Sequence, residues 1–234
     1  MLAVIFACLA GSAASPGPPD LHVVIRSEFV YMAMTRSLSQ EWWLSEGKSS
    51  ATQGDRVTIV REDLGVTWRV SPKAGTYTEV KRAPNAAAPA GPPVTQAVDI
   101  HTAGYDWEAA YDWDVKPSGK TATLAGRPCR EFVATGDADF AEADVSFWAC
   151  DPALGATRSP TDLVANGLRG ESTKRMILDT LAKNGGAWLL AAEERQEPAI
   201  APTMVMRVRV ETVEAAQAPA GTFDLPPGVK KTGK

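Results

Sequence analysis

The sequence predicts a mainly β domain with a few helices, its strands antiparallel. Three observations predict it. Apolar and polar residues alternate over short runs, as in Val66-Thr67-Trp68-Arg69-Val70, which is the period-two signature of a half-buried strand. Gly and Asp separate those runs, at Gly54-Asp55 and Asp63-Leu64-Gly65, and supply the turns. Two cysteines, Cys129 and Cys150, stand on a pair of such runs that can face each other.

The first element is not part of the domain. Residues 1–14 carry no charge, and 2–10 form an apolar run too short to span a bilayer. Ser12 and Ala14 satisfy the small-x-small rule for cleavage, which places the mature start at Ser15. We read 1–14 as a secretory signal peptide and 15–234 as one domain. The basic opening of such a segment is missing here and would lie upstream of Met1. Cys8 would be the site of a lipid anchor, but bulky Phe6 occupies the small-residue box that such processing needs. Cys8 therefore reads as a small apolar residue of the signal. Removing it leaves an even pair of cysteines in an exported, periplasmic chain, and such a pair reads as a disulfide.

Strands follow from His22 to Val80. Residues 57–60 are β-branched, 66–70 alternate, and 76–80 alternate again after Lys73-Ala74-Gly75. Residues 82–94 are rich in Ala and Pro without any apolar period, and read as a flexible insertion. Strands resume from 109 to 150. Pro117-Ser118-Gly119 reads as a turn. Residues 127–135 and 143–150 read as a hairpin closed by Gly136-Asp137-Ala138-Asp139.

Its register follows from the cysteines. With Cys129 opposite Cys150, Phe132 falls opposite Phe147, Ala134 opposite Val145, and Arg130 opposite Ala149. Successive side chains alternate between faces, so the two Phe residues share an apolar face with Ala134 and Val145. The cysteines take the other face with Glu131 and Trp148. Cysteine placement and apolar pattern thus specify one register.

Two short helices come next. Ser159-Pro160-Thr161-Asp162 has the composition of a helix start. Residues 172–183 form a second helix with Met176, Ile177 and Leu181 on its apolar side, and Asn184-Gly185-Gly186 stops it. A strand is expected at 187–195. Another runs over 204–211, with Met204, Met206, Val208 and Val210 facing in and Arg207, Arg209 and Glu211 facing water. Lys230, Lys231 and Lys234 read as a solvated tail.

Several of these segments resemble a known group in order and spacing. They are Trp42-Trp43-Leu44, Gly47-Lys48, the 57–60 strand, Leu64-Gly65 with the 66–70 strand, and Pro72-Lys73 leading to Thr76-Tyr77-Thr78-Glu79. Leu124-Ala125-Gly126-Arg127-Pro128-Cys129, Phe147-Trp148-Ala149 and the closing 221–228 segment complete the set. Over roughly residues 22–228 the chain resembles an uncharacterised bacterial envelope family related to the periplasmic lipoprotein carriers LolA and LolB and to LppX. The resemblance implies a curved antiparallel sheet, a half-barrel, with helices covering its concave side. It implies a lipid or other hydrophobic ligand in that concavity. Trp68, Phe132, Phe147, Met204 and Met206 are the candidate lining, soft Met side chains suiting irregular ligands. No carrier activity transfers residue by residue.

Other chemistry has little support. With a net charge of −4 and 22% charged residues, no Lys/Arg cluster suits nucleic acid. Asp99-Ile100-His101 falls short of the four ligands of a structural zinc site. The cysteines lack CxxC spacing, and GxSxG, HExxH, P-loop and GxGxxG motifs are missing. An enzyme and a cofactor are therefore not expected. Tyr105-Asp106-Trp107 recurs as Tyr111-Asp112-Trp113. Aromatics beside carboxylates suit sugars or cations, but one amphipathic strand with a bend explains the repeat as well. A second functional reading is an envelope scaffold that contacts another protein through the 82–94 loop and the Pro-rich N-terminus.

Overall fold

A computed structural model of the chain describes residues 19–81, 111–139, 141–152, 158–168, 170–199 and 201–232. The expected signal segment (residues 1–14), the 82–94 insertion, Asp99-Ile100-His101 and Tyr105-Asp106-Trp107 lie outside these. The described residues form one mixed sheet of twelve strands, ordered β12-β6-β5-β4-β3-β2-β1-β11-β10-β9-β8-β7. The first six strands are β1 (Asp20–Tyr31), β2 (Met34–Ser45), β3 (Lys48–Gln53), β4 (Arg56–Arg61), β5 (Val66–Ser71) and β6 (Thr76–Lys81). The others are β7 (Asp112–Leu124), β8 (Arg127–Ala138), β9 (Ala141–Cys150), β10 (Trp188–Pro198), β11 (Met204–Ala216) and β12 (Lys230–Lys231). The sheet is open, with β12 at one edge and β7 at the other. This is the expected mainly β architecture, a curved half-barrel with its helices on one side.

The core lies on the concave face. Leu21, Val23, Ile25 and Phe29 of β1 alternate inward, and Met204, Met206, Val208 and Val210 of β11 do the same beside them. Helix α1 (Thr161–Ala165) buries Leu163, Val164 and Ala165, and α2 (Glu171–Lys183) buries Met176, Ile177 and Leu181. Helix α1 begins one residue later than its composition predicts, with Pro160 rather than Ser159 at the N-cap; the Ser159 hydroxyl accepts the Thr161 N–H at 3.1 Å just ahead of it. Asn184 caps α2, followed by Gly185 at φ 80°, a left-handed conformation that glycine adopts without steric penalty.

The β8–β9 hairpin has the predicted register: Cys129 opposes Cys150, Phe132 opposes Phe147, and Ala134 opposes Val145. The disulfide is formed, with Cα atoms 4.0 Å apart. The Phe132 and Phe147 rings stack with centroids 5.5 Å apart.

Three local expectations are corrected. Gly136, Asp137 and Ala138 do not close the hairpin; β8 continues to Ala138 and β9 begins at Ala141. Pro117-Ser118-Gly119 does not reverse the chain. It is a bulge inside β7, between the Pro117–Phe132 and Thr121–Arg130 pairs. Proline has no N–H for the ladder, so the strand leaves its partner there and rejoins it. The looped residues then serve Glu131, whose carboxylate accepts from the Ser118 hydroxyl at 2.7 Å and pairs with Lys120 at 3.1 Å. Lys230 and Lys231 are not a free tail. They pair in parallel with Thr76 and Tyr77 as β12, and Lys231 reaches Glu79 at 2.8 Å.

The chain reaches β12 by crossing the convex face. From Ala216 at the end of β11 it must pass six strands to reach β12 at the far edge, seven spacings or about 34 Å at roughly 4.8 Å each. Arg61 marks the route: its guanidinium donates to the Phe223 carbonyl at 3.3 Å and to Asp224 at 3.0 Å.

Candidate functional site

A groove of about 790 Å³ opens on the concave side between α2 and the β7–β8 edge. Inward alternation on β7 supplies Trp113 and Val115, while β8 supplies Phe132. Helical spacing on α2 brings Ser172, Arg175, Met176, Asp179, Thr180 and Lys183 to the opposite wall. Phe132 and Met176 are each 7% exposed and form an apolar floor. The groove is therefore apolar at depth and charged at its rim.

Trp113 sets the groove's end. Its indole N–H donates to the Ser172 hydroxyl at 3.0 Å, joining the edge strand to the first turn of α2. The ring can lie flat because it covers Gly136. A Cβ at that position would stand 2.6 Å from the ring, too close for any side chain. Tyr111 packs against Trp113 with centroids 5.0 Å apart. Burial pushes the Tyr111 hydroxyl pKa up, and the nearby Glu194 charge adds to the effect.

Glu194 itself is 1% exposed beneath α2. It accepts from the Thr173 hydroxyl at 2.7 Å and from the Gln196 amide at 2.9 Å. A buried carboxylate needs such donors, and these hold the N-terminal part of α2 down on β10.

On its other side Trp113 borders a second hollow of about 550 Å³, lined by Asp112, Asp114, Asp137, Glu142 and Asp144. Among the described residues, no group of three or more His, Cys, Asp or Glu is placed to hold a metal ion.

The five candidate lining residues are not all brought together. Phe132 faces the groove, and Phe147 lies directly behind it at 0% exposure. Met204 and Met206 belong to the same core, farther along the concave face beside Tyr31 and Phe29. Trp68 stands on the convex face, by its pairing with Ile59, and donates its indole N–H to Glu79 at 3.1 Å. Trp113, Arg175 and Met176 were not among the expected lining. The Tyr111-Asp112-Trp113 motif was the available signal, but alternation accounts for the strand without revealing the helix beside it.

No family model and no curated protein matches the chain. Solved structures align with most of it at low similarity. PNGF-II aligns over 92% of this chain, which spans 31% of that protein, with 10% identity and a TM-score of 0.36. A DUF1329 family protein from Desulfovibrio piger aligns over 92% of this chain and 93% of its own, with 8% identity and a TM-score of 0.34. A LolA superfamily protein from Nitrosomonas europaea aligns over 89% and 91%, with 9% identity and a TM-score of 0.32. At these values the similarity assigns neither a family nor a function.

Proposed function

We propose that the mature chain is an exported periplasmic protein that binds a lipid or other hydrophobic ligand in the groove between α2 and β7. One observation carries this reading: an open groove of about 790 Å³ has an apolar floor of Phe132, Met176 and Val115. That size falls within the roughly 300–1,000 Å³ of small-molecule sites. Phe147 backs the floor from β9, and Met176 lets it adjust, since Met is unbranched and polarizable. The periplasmic assignment rests on the apolar N-terminal segment, and the Cys129–Cys150 disulfide is consistent with an oxidising compartment.

The test uses N-phenyl-1-naphthylamine, a neutral probe that fluoresces in apolar surroundings. Wild-type protein binds it. Thr180→Trp fills the groove from the helix wall and lowers probe affinity at least tenfold without shifting the thermal midpoint. Equal probe binding by both proteins, or none by the wild type, would sink the reading.

A further inference from the structure

We infer that the groove selects single-chain amphiphiles with an anionic head, and that Arg175 anchors the head; this rests on the hydrophobic-ligand reading above. Arg175 is exposed on the α2 wall of the groove. Among the described residues it has no hydrogen bond or ion pair, and neither has Lys183 two turns on, whereas three other nearby cations are engaged. Lys174 pairs with Glu171 at 2.6 Å, Lys116 with Asp114 at 3.8 Å, and Lys120 with Glu131 at 3.1 Å.

Asp179 and Lys183 follow Arg175 at successive intervals of four on the same wall. No ion pair joins the three, so the helix wall presents two cations and one anion to the groove. Asp114 on the opposite wall already faces Lys116. A guanidinium held at the rim of an apolar floor lacks the anion that its planar donors suit. A carboxylate head lying against Arg175, with its chain along Val115, Phe132 and Met176, satisfies both parts of the groove.

Displacement of the naphthylamine probe by two sixteen-carbon competitors tests this. Palmitate carries the anion, and hexadecanol differs only in the head. The wild type prefers palmitate by about ten- to a hundredfold, the range of a charge-assisted contact. Arg175→Gln removes that preference and leaves hexadecanol unchanged, while Arg175→Lys retains part of it. Equal displacement by both competitors, or a palmitate affinity unaffected by Arg175→Gln, overturns the anion anchor while the apolar groove stands. A probe that never binds overturns the groove itself, and the anchor with it.

Discussion

The two halves of the sheet are held by different forces. From β7 through β11 to β1, the strands are ten to thirteen residues long and carry helices on their concave face. Phe147, Leu189, Leu190, Val164 and Ile177 are fully buried there. From β3 to β6 the strands have six residues each, and the tie is a C-terminal segment on the opposite face. Ile59 and Val70 are buried under that face, but the fastenings are polar: Arg61 to Asp63 and Asp224, and Lys231 to Glu79. Apolar burial is non-directional and strong per side chain, whereas exposed ion pairs contribute little and are screened by salt. The helix-covered half should therefore set global stability, and the strapped half should open locally first. The groove lies at the free edge of the stable half, where a wall can be shaped without dissolving the core.

The largest expected effect tests the first half of that contrast. Phe147→Ala removes a ring at 0% exposure, stacked on Phe132 and opposite Ala192. The loss is about 3–5 kcal/mol, seen as a lower urea midpoint. A smaller loss, under about 1 kcal/mol, would mean that the helices can collapse onto the vacancy and that the two halves are less different than they look.

The disulfide comes next. Cys129 and Cys150 are separated by 21 positions, and a closed loop of that size stabilises by about 3 kcal/mol in the chain-entropy model. The bond lies wholly within the helix-covered half. Reduction should therefore lower the global urea midpoint and leave hydrogen exchange at β5 and β6 unchanged relative to it. Selective loosening of β6 on reduction would contradict the division.

How much of this was legible in the sequence depends on what each residue had to meet. The β8–β9 register was readable because its two signals, paired cysteines and paired apolar faces, both lie within one hairpin. The bulge at Pro117 was not, because Pro-Ser-Gly suits a turn and a bulge alike; what separates them is whether β8 takes the strand back. Lys230 and Lys231 have no apolar period at all. They become a strand because the Gly75 and Tyr77 carbonyls at the β6 edge accept the Lys230 and Thr232 N–H groups. Trp113 was visible as a strand residue. Its role at the groove required Ser172, 59 positions away, and a bare Gly136 beneath the ring.

The smallest expected effect is on the strap, and pH probes it. Hydrogen bonds from Lys231 and then Trp68 hold the Glu79 carboxyl below the usual carboxylate range, and Arg61 does the same for Asp63. A carboxyl with a lowered folded-state pKa stabilises fully above its unfolded value and loses that contribution as pH falls through the folded one. The strap should therefore hold near neutrality and loosen only on acidification below the ordinary carboxylate range. Hydrogen exchange at Lys230 and Thr232, whose N–H groups bond to β6, would rise severalfold there while the amides of β9 and β10 stay protected. Arg61→Ala should produce the same pattern at neutral pH, since it releases Asp224 and the Phe223 carbonyl together. If acid or Arg61→Ala exposes β9 as much as β12, the strap is coupled to the main core, and the sheet opens as one unit rather than from its polar edge.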